Sequence, residues 1–293
     1  MNRTRGTLLA LALAGAGLEA AADCPDIDPG LRLVSVGGSL TEIVYALGAQ
    51  DHLVGVDSTS IYPPSALDLP DVGYVRALPA EGVLSLAPTL VIAEDDAGPA
   101  AVLDQIRQAG TPLVTVPDDH TIAGAADKIE TVAGLLGCAE DGAAMAGDLR
   151  RQAAALAEAV AAIPERPTVL FLLNIGQGAP VGGGSGTSAD GIIALAGGSN
   201  ALAAMEGYKP VSAEAAIEAD PDAILMTTGS VEALGGIDTV LAMPQIALTR
   251  AGKEGRVIVM EGLLLLGFGP RTALAARTLA RDLHGPDLIP AEP

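Results

Sequence analysis

Residues 140–163 read EDGAAMAGDLRRQAAALAEAVAAI, a run with no proline and with glycine only near its start, at 142 and 147. Alanine, leucine, arginine and glutamate favour helix, so the run predicts one helix of more than about 20 residues, over about 30 Å long at about 1.5 Å per residue. Pro164 and Pro167 end it. On both sides, short β-branched runs alternate with alanine-rich stretches, the pattern of an α/β chain with mainly parallel sheets. The expected organisation is an N-terminal α/β lobe over 23–139, a linker helix over 140–163 and a C-terminal α/β lobe over 164–293. One long helix between lobes resists twisting better than crossing strands do, so limited closure on ligand binding is expected.

Within the first half, strands are expected at Leu33–Val36, Leu53–Val56, 90–93 and Leu113–Val116, with helices at 80–86, 99–108 and Ile122–Leu136. Ser39 and Glu42 have the spacing of a capping box for a helix that runs to Leu47 and stops at Gly48. Thr168–Leu173 opens the second half. The halves repeat each other in order. Ser39-Leu40-Thr41-Glu42-Ile43-Val44 with Gly48 aligns with Ser188-Ala189-Asp190-Gly191-Ile192-Ile193 with Gly197. Ala80-Glu81 through Leu90-Val91-Ile92 aligns with Ala213-Glu214 through Ala223-Ile224-Leu225. Two related lobes follow from this.

Arg3 and Arg5, the apolar run from Leu8 to Leu18 and Ala20-Ala21-Ala22 follow the order of a cleavable secretory signal over 1–22, with Asp23 the expected start of an exported, periplasmic chain. Cys24 invites lipid anchoring, but Asp23 stands where a small residue is wanted. Cys24 and Cys138 are the only cysteines. In an oxidising compartment they either form one bridge or remain two thiols. The net charge of −20 argues against nucleic acid and anionic membrane surfaces as partners.

Ligands of open α/β sheets sit beyond the carboxyl ends of strands. Gly37-Gly38-Ser39 and Gly182-Gly183-Gly184-Ser185-Gly186 fall at such places, where helix starts offer N–H groups to an anion. Tight turns explain the same glycines. The chain has only four tyrosines, two phenylalanines and no tryptophan, yet Tyr74 and Tyr208 each follow a glycine and precede a glutamate in matching places of the two halves. Tyr74 and Arg76 lie two apart, and on an extended segment they share a side. A fixed positive charge favours tyrosinate, a hard oxygen donor suited to ferric iron and known as an axial haem ligand in catalase. The same residues also fit a tyrosine packed on nearby prolines beside a solvated arginine. His52, His120 and His284 have no helical spacing, so a zinc or manganese site is poorly supported, although His120 follows a strand and could approach the cleft. Ser185 lacks the surroundings of a nucleophile elbow, which leaves an exported hydrolase as a weak alternative.

The run Leu69-Pro70-Asp71-Val72-Gly73-Tyr74-Val75-Arg76-Ala77-Leu78, with Gly37-Gly38-Ser39-Leu40-Thr41-Glu42-Ile43 and Gly207-Tyr208-Lys209-Pro210-Val211-Ser212-Ala213-Glu214, closely resembles the haemin-binding periplasmic proteins of bacterial haem ABC importers. The resemblance covers about residues 31–284. It implies a helical-backbone periplasmic binding protein: two Rossmann-like lobes joined by a long helix, holding haem b as a transported ligand in a shallow cleft. It implies Tyr74 as the axial ligand assisted by Arg76, and Glu81 and Glu214 as the glutamates that dock on an inner-membrane ABC permease dimer. Helix-start glutamates favoured by the local dipole are the alternative for that pair. The second-lobe histidine that some members of the family use has no counterpart here, and residues 174–178 offer no substitute. The expectation is therefore a monomeric, non-enzymatic carrier of one five-coordinate haem. Tyr208 and Lys209 would supply a stacking surface and a propionate partner, with Gly38 and Ser39 also at the cleft. A ferric siderophore or corrinoid is the alternative ligand.

Overall fold

The computed structural model describes Cys24, residues 27–173 and residues 180–291. The leader expected at 1–22, Asp23 and the stretch 174–178 lie outside these described residues. The first lobe runs β1 (Leu33–Val36), α1 (Gly38–Ala46), β2 (Leu53–Val56), α2 (Ala80–Ser85), β3 (Leu90–Glu94), α3 (Ala100–Gln108), β4 (Leu113–Val116) and α4 (Ile122–Leu136). Next comes α5 (Ala139–Ala161), the long helix, with 23 residues. The second lobe contains β5 (Thr168–Leu173), β6 (Val181–Gly183), α6 (Ser188–Leu195), β7 (Ser199–Asn200), β8 (Tyr208–Pro210), α7 (Ala213–Ala219) and β9 (Ala223–Thr227). It is completed by α8 (Thr228–Ala233), α9 (Ile237–Leu241), α10 (Arg250–Glu254), β10 (Val257–Met260), α11 (Gly262–Leu266) and α12 (Thr272–His284).

The first sheet has four strands in the order β2-β1-β3-β4. All pair in parallel, with Leu33 beside Leu53 and Leu90. The second sheet runs β10-β9-β5-β6-β8, with β7 beside β5. Here β10, β9, β5 and β7 are parallel, while β6 and β8 add antiparallel arms. Two α/β lobes joined by one long helix are thus the architecture. The strands β1, β3 and β9 carry Val, Ile and Leu in near-continuous runs because helices cover both faces of each sheet.

The two lobes share a core through α5. Gly142, Ala146, Leu149, Leu156 and Val160 form its buried stripe at spacings of three, four and seven. A Cβ on Gly142 would meet the Ala133 Cβ of α4 at 2.2 Å, so the glycine is what allows α4 and α5 to cross so closely. One apolar cluster continues from Leu33 and Ile92 in the first lobe through Leu149 and Leu156 to Phe171 and Leu225 in the second. A bridge joins Cys24 to Cys138, just before α5, with Cα atoms 5.3 Å apart.

The capping box at Ser39 and Glu42 does not form. Gly37 is the residue before α1, and no side chain caps it. Ser39 Oγ instead donates to Glu94 Oε1 at 2.6 Å, and Glu42 accepts from Arg271 of the other lobe through both carboxylate oxygens, at 2.9 and 2.8 Å. Ion pairing in a buried seam outcompetes the local backbone bond.

Candidate functional site

The seam between the lobes is built where strands end. Ser39 follows β1, Glu94 closes β3, and Asp118 and His120 follow β4; they meet the chain after β10 and after β6. A Cβ on Gly38 would lie 2.7 Å from Leu263 Cδ1 and 2.5 Å from the Thr59 carbonyl oxygen, so close approach explains this glycine. The helix-start N–H groups of Gly37 and Gly38, expected to face an anion, have partners within the first lobe. Gly37 N–H donates to Asp57 Oδ1 and Gly38 N–H to Thr59 Oγ1, and Ser39 is 1% exposed. The second glycine stretch is similar. A Cβ on Gly184 would overlap the Met205 carbonyl at 1.9 Å, and Asp190 at the start of α6 accepts from Gly186 N–H. Ser185 Oγ donates to the Met205 carbonyl at 3.1 Å, so its hydroxyl is engaged with the backbone.

Tyr74 sits on the first lobe between β2 and α2, 44% exposed. It leads into a 3-10 turn, Val75–Ala77, rather than an extended segment. The turn still brings the pair together: Arg76 Nη1 donates to the Tyr74 hydroxyl at 2.7 Å, and Nη2 pairs with Asp96 on the loop after β3. Burial works against the Arg76 charge, but Tyr74 and Asp96 together hold its affinity for a proton above the ordinary value. Gly73 has φ of 104°, and a Cβ there would meet Pro79 Cδ at 2.9 Å. Only glycine takes that backbone comfortably, and it aims the phenol outward.

In the second lobe, Tyr208 lies on β8 rather than in a loop. Its hydroxyl is 2.8 Å from Ser188 Oγ at the start of α6, its ring meets Phe171 edge-on at 6.3 Å, and it is 41% exposed. Lys209 is its neighbour on the same strand, so the two side chains leave opposite faces and do not form one surface.

Four residues of the seam were not singled out by sequence: Glu94, Lys128, Asp118 and Arg271. Lys128 has a fully buried side chain; it pairs with Asp118, donates to Ser39 Oγ at 2.9 Å, lies 3.8 Å from Glu94 and reaches the Gly267 carbonyl of the second lobe at 3.3 Å. A signal existed, because Lys128 stands four residues from both Gly124 and Val132 on the buried face of α4. Burial raises Glu94 to about 7, against the pull of Lys128. Asp118 is held low; burial opposes this, but His120 and Lys128 outweigh it. His120 lies 3.5 Å from Asp118 and 5.4 Å, edge-on, from Phe268, and Asp118 raises its pKa. An open cleft of about 740 Å³ separates residues 118–122 from residues 186–195. Arg271 completes the seam, its guanidinium 3.5 Å from the Tyr62 ring centroid while it holds Glu42.

Glu81 and Glu214 are exposed in the first turns of the equivalent helices α2 and α7. Among the described residues no cluster of three or more metal-ligating side chains occurs, and no helix is long and apolar enough to cross a membrane.

A family model described as periplasmic binding protein matches residues 33–262. The periplasmic heme-binding protein RhuT from Roseiflexus sp. RS-1, in apo form, is 41% identical, covering 88% of this chain and 99% of its own, with a TM-score of 0.84. The periplasmic heme-binding protein BhuT, solved in complex with two hemes, is 40% identical over 88% of this chain and 98% of its own, with a TM-score of 0.81. The vitamin B12-binding protein of Vibrio campbellii is 34% identical over 44% of this chain, and the match spans 47% of that relative, less than half its length.

Proposed function

The chain belongs to the periplasmic binding protein family, whose members are non-enzymatic components of transport, and from that premise we propose that it captures ferric haem between its lobes with Tyr74 as the axial ligand. It would deliver the haem to an inner-membrane ABC permease. The observation that carries this reading is the exposed Tyr74 phenol receiving a hydrogen bond from Arg76 at 2.7 Å. A guanidinium that donates to the phenol oxygen fixes the direction of that oxygen, a hard donor of the kind ferric iron takes. The heme-binding neighbours, similar over nearly their whole length, support the same ligand.

In this reading residues 1–22 direct export to the periplasm and are removed, the lobes are 23–139 and 164–293, and 140–163 is the rigid linker between them. Glu81 and Glu214 are the permease contacts. One haem is held, and Tyr208 supplies an aromatic surface from the second lobe. Corrinoid capture is the second reading, favoured by the relatives that bind vitamin B12.

Titrating the apo protein with ferric haemin and, separately, with a cobalamin distinguishes the two. The expected result is a saturable one-to-one haemin complex with tyrosinate-type absorption bands, lost in Tyr74→Ala, and no saturable cobalamin binding. Tight cobalamin binding, or haemin binding unchanged in Tyr74→Ala, overturns the reading.

A further inference from the structure

We propose that Asp96 is a positioning residue for haem capture, acting through Arg76 to hold the Tyr74 phenol in its ligating arrangement; this rests on the function proposed above. The guanidinium of Arg76 is shared: Nη1 donates to the Tyr74 hydroxyl at 2.7 Å while Nη2 pairs with Asp96. Its carbon lies 6.0 Å from the Tyr74 ring centroid. A guanidinium is planar, so fixing one nitrogen on a carboxylate fixes the direction in which the other points.

The backbone explains why Asp96 can do this. Gly98 N–H donates to the Val75 carbonyl at 2.9 Å, and Leu78 N–H donates to the Gly98 carbonyl at 2.9 Å. These two bonds join the loop after β3 to both ends of the turn that carries Arg76. Ala97, next to Asp96, is buried, and its N–H donates to the Glu94 carbonyl at 3.0 Å. The carboxylate is therefore placed by two elements at once, whereas the arginine side chain it grips is 58% exposed. Left alone, such a side chain spreads over many rotamers, and ordering it when ligand arrives would cost affinity. Asp96 orders it beforehand.

The test is a double-mutant cycle of Asp96→Ala and Arg76→Ala, read by haemin dissociation rate, the tyrosinate bands and the NMR signals of the Arg76 side-chain N–H groups in the apo protein. Asp96→Ala is expected to speed dissociation roughly three- to ten-fold, weaken the bands and average the Arg76 signals through motion. Asp96→Glu should restore part of each. In the Arg76→Ala background, Asp96→Ala should give no further increase. An equal increase in that background shows that Asp96 acts independently of Arg76, and unchanged Arg76 signals show that it orders nothing; either result overturns the proposal. If Tyr74→Ala leaves haemin binding intact, the function reading fails instead, and the apo NMR signals decide the role of Asp96 by themselves.

Discussion

Glu94 shows how a single buried carboxylate sets the pH response of the seam. Burial is the largest cause of its rise from 4.5 to about 7, with Lys128 opposing and Asp118 adding to it. The folded protein therefore holds this proton more tightly than the unfolded chain does between those two values. Its stabilising contribution is present at acid pH and is lost as pH rises through about 7. His120, raised chiefly by Asp118, acts with the same sign, while the lowered Asp118 loses its contribution as pH falls. Glu94→Gln keeps an acceptor for Ser39 and removes the titration. Between about pH 5 and about pH 8 its stability should fall less than that of the unaltered protein, by a difference on the order of a few kcal/mol that is read as a smaller drop in Tm. Parallel Tm curves across that range would show that Glu94 does not titrate in the seam.

At the scale of elements, α2 and α7 are the informative pair. Each shows a glutamate in its first turn, and each leads into a parallel strand, β3 or β9. Ser212 caps α7, and the backbone N–H of Glu214 itself, with Ser212, holds the Glu214 carboxyl below the ordinary range, whereas α2 follows Pro79 without a side-chain cap. The caps differ while the exposed glutamate stays in place. That is expected if the glutamates serve a partner rather than their own helices. Reversing both charges, Glu81→Arg with Glu214→Arg, should abolish import in cells that depend on this carrier while haemin affinity of the purified protein stays unchanged. Import at the original rate refutes the docking role.

For the whole molecule, the lobes are held by more than the linker. The apolar core runs through α5, Lys128 reaches Gly267, and Arg271 grips the nearly buried Glu42 with two hydrogen bonds. Removing Arg271 leaves that carboxylate buried without its partner, a loss on the order of 3 kcal/mol. Arg271→Ala should lower the Tm by several degrees, yet the radius of gyration from small-angle scattering should not change, because α5 and its core keep the lobes in place. An expansion on that substitution would mean that the ion pair, and not the helix, sets the spacing of the lobes.

The sequence by itself determined most elements of the first lobe, the long helix and β5. Helix and strand propensity, proline stops at 164 and 167, and the aligned Ser39 and Ser188 segments are local properties, and the strands β1, β2, β4 and β5 and the helix α4 follow from them residue for residue. Composition and spacing also drew attention to Tyr74 and Arg76. What only the tertiary structure decided was which polar groups meet. The Ser39–Glu42 spacing fits a cap, but Glu94 and Arg271, distant in the chain, take those side chains. Asp96, 20 residues from Arg76, meets it where the loop after β3 is tied to the turn at Val75–Ala77, and Lys128, 89 residues from Ser39, finds its partners because the carboxyl ends of parallel strands converge on one seam. In a site shielded from water a charge must be paired, and the closest available partner is chosen by packing rather than by sequence distance.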